Sequence, residues 1–111
     1  MVAGAERLWA KYLVRKAEKE AFEVALQGGK HAGFLKSYLN MSNGQLQKGI
    51  KSIKKQIAEH YDKIANPEKH IKDWKNLDPR QRDALLNKKW PGDIARQKEQ
   101  LGILKQLLKR K

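Results

Sequence analysis

Six apolar residues, Leu46, Ile50, Ile53, Ile57, Tyr61 and Ile64, recur every three or four positions through a stretch bounded by Ser42 and by Asn66-Pro67. At 100° per residue they fall within an arc of roughly 80°, while Lys48, Lys51 and Lys55 point the opposite way. A strand, with its period of two, would scatter them over both faces. The spacing therefore predicts an amphipathic helix. Ser42 is placed to cap its start, because a serine oxygen can accept from the unpaired N–H groups of a first turn, and the proline ends it. Whatever surrounds this helix must cover an apolar stripe and leave a basic one in water.

The flanking sequence is also helical. Residues 5–27 contain neither Gly nor Pro and are rich in Ala, Glu, Lys and Leu, which predicts a long N-terminal helix ended by Gly28 and Gly29. Its apolar residues Leu8, Trp9, Tyr12, Leu13, Val14, Phe22, Val24 and Leu26 form no single stripe. Residues 1–27 thus read either as a helix contacted on several sides or as the end of a preceding linker or lead-in segment. Phe34, Leu35, Tyr38 and Leu39 predict a short amphipathic helix, with a turn over Asn40 to Asn43. Residues 68–77 read as one turn of helix and a loop carrying Trp74. Asp78-Pro79 opens a helix near 79–88. Lys89-Trp90-Pro91-Gly92-Asp93 reads as a second break, followed by a last helix bearing Ile94, Leu101, Leu104 and Leu108 on one face, with a frayed end at Lys109-Arg110-Lys111. The expected fold is all-α, a compact bundle of four to five helices in one domain.

Charge separates the two parts. Residues 1–27 carry five cations and four acids, whereas 28–111 carry 20 and eight, so +12 of the net +13 lies after Gly28. Such an excess repels itself in a compact state, which suggests a partner of dense negative charge. Lys51, Lys54 and Lys55, with Lys48, form one cluster; Lys88, Lys89 and Arg96, with Lys98, form another; Arg80 and Arg82 open a helix between them. Clusters of this kind neutralise phosphates and release counterions, so RNA is the expected partner, although each cluster alone is ordinarily a solvated face. Trp74 and Trp90 offer surfaces for base stacking, but a tryptophan in a chain this small is structural first. No apolar run approaches the roughly 18 residues needed to cross a bilayer, which predicts a soluble chain without stable membrane insertion.

Three histidines are the candidates for proton transfer. His31 follows Gly28-Gly29-Lys30 at a helix start, where unpaired N–H groups favour anions and a neutral ring, a suitable setting for a base beside a phosphate. Its ordinary reading is an exposed residue at a helix start. His60 borders the apolar arc and reads first as a core-edge histidine, and His70 lies in the ambiguous loop. The chain has no cysteine, no HExxH and no GxxxxGK[ST], so no metal site, cofactor, thiol nucleophile or nucleotide hydrolysis is expected.

Four strings in order carry a resemblance: Gly28-Gly29-Lys30-His31-Ala32-Gly33-Phe34-Leu35; Lys55-Gln56-Ile57 with Glu59-His60 and Asn66-Pro67; Leu77-Asp78-Pro79-Arg80-Gln81; and Lys89-Trp90-Pro91 with Asp93-Ile94 and Arg96-Gln97. Over roughly residues 28–108 this combination resembles the C-terminal toxin domains of bacterial polymorphic toxins, the contact-dependent growth inhibition and filamentous-hemagglutinin-like effectors. The resemblance implies a basic helical toxin domain over 28–111, carried at the end of a large secreted cell-surface protein and acting in the cytoplasm of a neighbouring bacterium. It also implies a tightly bound immunity protein, expected to be acidic, and in some cases a host activating factor. Many such toxins are nucleases, often acting on transfer RNA.

From residue chemistry the leading expectation is a metal-independent ribonuclease. His31 would act as base, Lys30 and Arg80 as phosphate stabilisers, and His60 as acid or orienting group, with Lys51, Lys54, Lys55, Lys88, Lys89 and Arg96 holding the RNA backbone. A non-enzymatic basic module that binds nucleic acid or an acidic protein is the alternative. A membrane-active helix over Ile94–Leu108 ranks third, and a metal-dependent DNase below it.

Overall fold

The computed structural model describes the backbone of residues 3–110 and the side chains of residues 13–110. Six α-helical segments follow in order: α1 Ala3–Leu26, α2 Ala32–Tyr38, α3 Asn43–Ala65, α4 Pro67–His70, α5 Pro79–Ala84 and α6 Trp90–Arg110. A 3₁₀ turn over Trp74–Asn76 lies between α4 and α5, and there is no strand among the described residues. The all-α expectation holds, with α1, at 24 residues, as the long N-terminal helix.

The helix ends follow from local chemistry. Ser42 Oγ accepts from the Gln45 N–H at 3.2 Å and the Gln45 side chain accepts from the Ser42 N–H at 3.0 Å, a reciprocal capping box that opens α3. At the end of α1, Gly28 adopts φ +88°, its N–H reaches Ala25 O at 3.1 Å, and the Gly29 N–H reaches Val24 O at 2.9 Å. This is the paired closure of orphan carbonyls that a left-handed glycine permits.

The second predicted break is absent. Between α5 and α6 the chain continues through one wide turn, Leu85–Lys89, in which the Trp90 N–H bonds back five residues to Leu85 O. A proline in a regular helix removes a donor and presses its ring on the carbonyl of the turn before; a π turn widens that turn just ahead of Pro91. Trp90 keeps helical angles, φ −67° and ψ −43°, despite preceding a proline. Counted as continuous rods, the described residues form five helices.

α6 is the central rod, with α1 and α3 packed along it. Phe22 and Ala25 from α1, Leu35 from α2, Leu46 and Ile53 from α3, and Ile103, Leu104 and Leu107 from α6 form one core. Leu46, Ile103 and Leu104 are fully buried, each stabilising the fold by about 1.5–3 kcal/mol relative to exposure. The stretch before Gly28 therefore shares a core with the stretch after it. Gly102 allows α1 its close approach, because a Cβ there would meet Glu18 Cα at 3.1 Å and Glu18 Cγ at 2.8 Å. The chain end is not frayed as far as it is described: α6 continues to Arg110, whose guanidinium lies 4.4 Å from the centre of the Phe22 ring. Trp74 and Trp90 are both buried and stack on each other at 5.9 Å, a small second cluster beneath the loop.

Candidate functional site

α2 starts at His31, which has a left-handed backbone, φ 68° and ψ 15°, and makes no capping bond with its own helix. A non-glycine residue in that region costs on the order of 1 kcal/mol and has to be held there by its surroundings. Its side chain, 7% exposed, turns towards α6, where Nε2 lies 3.0 Å from Glu99 Oε2. Lys30 Nζ lies 3.2 Å from the other oxygen, Glu99 Oε1, so one carboxylate gathers both residues. Phe34 meets the imidazole edge-on at 6.5 Å. Lys30, His31 and Glu99 border an open cleft of about 350 Å³ whose opposite wall is α1, through Ala17, Glu20, Ala21 and Val24.

This arrangement fixes what the ring can do. With Glu99 ionised, Nε2–H donates to the carboxylate and the neutral ring keeps its lone pair on Nδ1. Nδ1 has no hydrogen-bond partner among the described residues. A carboxylate that orients an imidazole and leaves its far nitrogen basic is the arrangement a general base requires. Beyond the first-turn N–H groups of α2, a further group that the local sequence did not announce faces His31. It is the Glu99 carboxylate, missed because only the crossing of α2 over α6 brings it there.

The other two predicted catalytic residues lie elsewhere. His60 on α3 donates through Nδ1 to Gln56 O at 2.9 Å, and its Nε2 lies 3.4 Å from Asp93 Oδ2. Arg96 approaches the same carboxylate at 3.4 Å and Lys89 at 3.8 Å. Asp93 and Glu99 are six residues apart on α6, which sets them about 9 Å apart along the axis and about 120° apart around it. The proposed group of His31, Lys30, His60 and Arg80 is therefore not assembled in one cleft: the structure joins His31 to Lys30 and leaves His60 at the α3–α6 seam. Arg80 is exposed at the start of α5, where its backbone N–H donates to Asp78 Oδ1 at 2.9 Å.

His70 completes a pattern, since its Nε2 lies 2.6 Å from Asp62 Oδ2. That hydrogen bond, aided by one from Asn66, holds the Asp62 carboxyl below the ordinary carboxylate range. All three histidines thus meet a carboxylate, using three of the eight acids after Gly28. The scarcity of acids among so many cations was the available signal, but it could not say which acid meets which histidine.

Lys48, Lys51, Lys54, Lys55 and Lys88 are exposed and have no carboxylate partner within 4.0 Å among the described residues. Lys89 and Arg96, also exposed, share Asp93. Among the described residues no group of three or more His, Asp or Glu side chains is placed to hold a metal ion, and no helix is long and apolar enough to cross a membrane. The apolar face of α6 is occupied by the core, so it is not available for a lipid surface.

Fold and site together define a class: a basic all-α domain with a carboxylate-oriented histidine at an open cleft. Compared with known proteins, the chain matches no family model, no curated protein and no solved structure.

Proposed function

We propose that this chain is a metal-independent ribonuclease domain of the bacterial effector-toxin type, acting on RNA of the transfer-RNA class and neutralised by an acidic immunity protein. The observation that carries the catalytic part is the His31–Glu99 pair beside Lys30, in a chain whose charge after Gly28 is +12. His31 takes the 2′-hydroxyl proton through Nδ1, the 2′-oxygen attacks phosphorus, and the bond to the 5′-oxygen breaks to leave a cyclic phosphate. Lys30, in the same cleft, stabilises the negative charge that develops on the phosphate, and the departing 5′-oxygen takes its proton from water. The unpaired lysines of α3 hold the RNA backbone, and their contribution falls as salt rises. The effector-toxin part rests on the four strings that resemble such domains, and an acidic partner is what a face of this charge would attract.

The test is incubation with total bacterial RNA, with and without EDTA, beside a His31→Ala variant. Discrete fragments that survive EDTA and disappear with the variant are expected. One observation favours a second reading, a binding module without catalysis: Glu20 and Glu99 both border the cleft and oppose a phosphate there. Under that reading RNA stays intact in every lane, with or without added cell extract, while salt-sensitive binding persists.

A further inference from the structure

The sequence places Tyr61 in the apolar arc of α3, yet in the fold it is 47% exposed while Leu46 and Ile53 of the same arc are buried. It is the one exposed residue among the Phe, Tyr and Trp whose side chains are described. Trp74 and Trp90 have spent their faces on each other, Phe34 and Tyr38 pack together at 4.9 Å, and Phe22 lies in the core under Arg110. On Tyr61 a different neighbour is placed: Lys98 Nζ, from α6, lies 5.4 Å from the ring centre. An ammonium over one face of an aromatic ring fixes the ring's orientation and leaves the rest of it to solvent. Lys54 lies two turns earlier on the same side of α3, about 10 Å away along the axis, and is exposed with no ion-pair partner among the described residues.

From this juxtaposition we infer that Tyr61 is a stacking platform for an unpaired nucleobase, with Lys98 and Lys54 receiving the flanking phosphates. The inference rests on the RNA reading above and narrows it to single-stranded or looped RNA. Every base has a π face that an exposed ring can meet, whereas bases inside a duplex already stack on one another. Among the aromatic residues whose side chains are described, Tyr61, rather than Trp74 or Trp90, is the one from which stacking can be gained.

The test is fluorescence anisotropy of the full chain with two labelled dodecamers at one salt concentration. One is 2′-O-methyl adenosine, which lacks the hydroxyl nucleophile and stays intact; the other is an abasic 2′-O-methyl ribose phosphate of the same length and charge. The expected result is tighter binding of the base-bearing strand by on the order of tenfold. Tyr61→Leu should remove that preference and leave both strands bound through charge, and Tyr61→Phe should keep it. Circular dichroism of both variants should match the parent, since the side chain is exposed. Equal binding of the two strands by the parent, or a preference that survives Tyr61→Leu, overturns the platform and leaves charge-driven RNA binding standing. Failure to bind either strand overturns both.

Discussion

The histidines that meet α6 differ in what their second ring nitrogen does. His31 gives Nε2 to Glu99 and leaves Nδ1 without a hydrogen bond among the described residues, in a ring that borders the cleft. His60 commits both: Nδ1 must donate to Gln56 O, because a carbonyl only accepts, and Nε2 then meets Asp93 as an ion pair when the ring carries both protons. The first arrangement leaves one ring nitrogen uncommitted. The second ties α3 to the first turns of α6. In both places a histidine meets a carboxylate of α6, and the two pairs differ in whether one ring nitrogen is left uncommitted.

The largest expected effect tests that contrast directly. His31→Ala should lower RNA cleavage by on the order of 10²–10⁴-fold with helical content unchanged, and Glu99→Gln should follow it in part, because an amide cannot hold the ring as a carboxylate does. His60→Ala should leave cleavage within a few-fold. Equal loss from His31→Ala and His60→Ala, read as initial rates on one RNA substrate, would break the division of roles.

Next comes the wall of the cleft. Gly102→Val forces a side chain against Glu18 of α1, where even a Cβ would lie 3.1 Å from the Glu18 Cα. Overpacking of this kind costs about 1–3 kcal/mol. Because α1 lines the His31 cleft and not the His60 seam, cleavage should fall with stability, while the His60 contact to Asp93, followed by the imidazole NMR signals of His60, stays in place. Smaller still is His60→Ala itself, expected to lower the urea unfolding free energy by about 1 kcal/mol through loss of the hydrogen bond to Gln56 O and the contact with Asp93.

The comparison also explains what could be read in advance. The arc of α3, its Ser42 cap and its stop at Asn66-Pro67 depend on residues within a few positions of one another, so they were legible. Trp90-Pro91 was misread because the cost of a helical proline is judged against a regular turn, and the wide turn at Leu85–Lys89 is not regular. His31 and Lys30 were legible as residue types beside a glycine turn. Glu99 and Asp93 were not, since the choice between two acids six residues apart depends on which face of α6 each neighbouring helix takes. Tyr61 was legible as part of the apolar arc, but its exposure was not, for the same reason: the period names the face of α3 and cannot tell how far α6 covers it.

The smallest effect concerns the third pair, which belongs to neither helix seam. Asp62 and His70 are close in sequence and bridge α3 to α4, at 2.6 Å, and the His70 hydrogen bond is the main reason that the Asp62 carboxyl ionises below its ordinary value. A carboxyl whose folded pKa is lowered contributes stability that is fully present above its unfolded pKa, near 3.9, and is lost as pH falls through the lower folded value. His70→Ala removes the larger of the two hydrogen bonds and leaves that of Asn66. The variant should therefore be slightly less stable than the parent at pH 7, and the gap should close as pH drops below about 4. Urea midpoints of both proteins at pH 7, 4 and 3 would measure it. A gap that stays constant to the acid end would mean that the pair positions α4 without linking its stability to the proton, and the contrast with His31 and His60 would then be one of exposure alone.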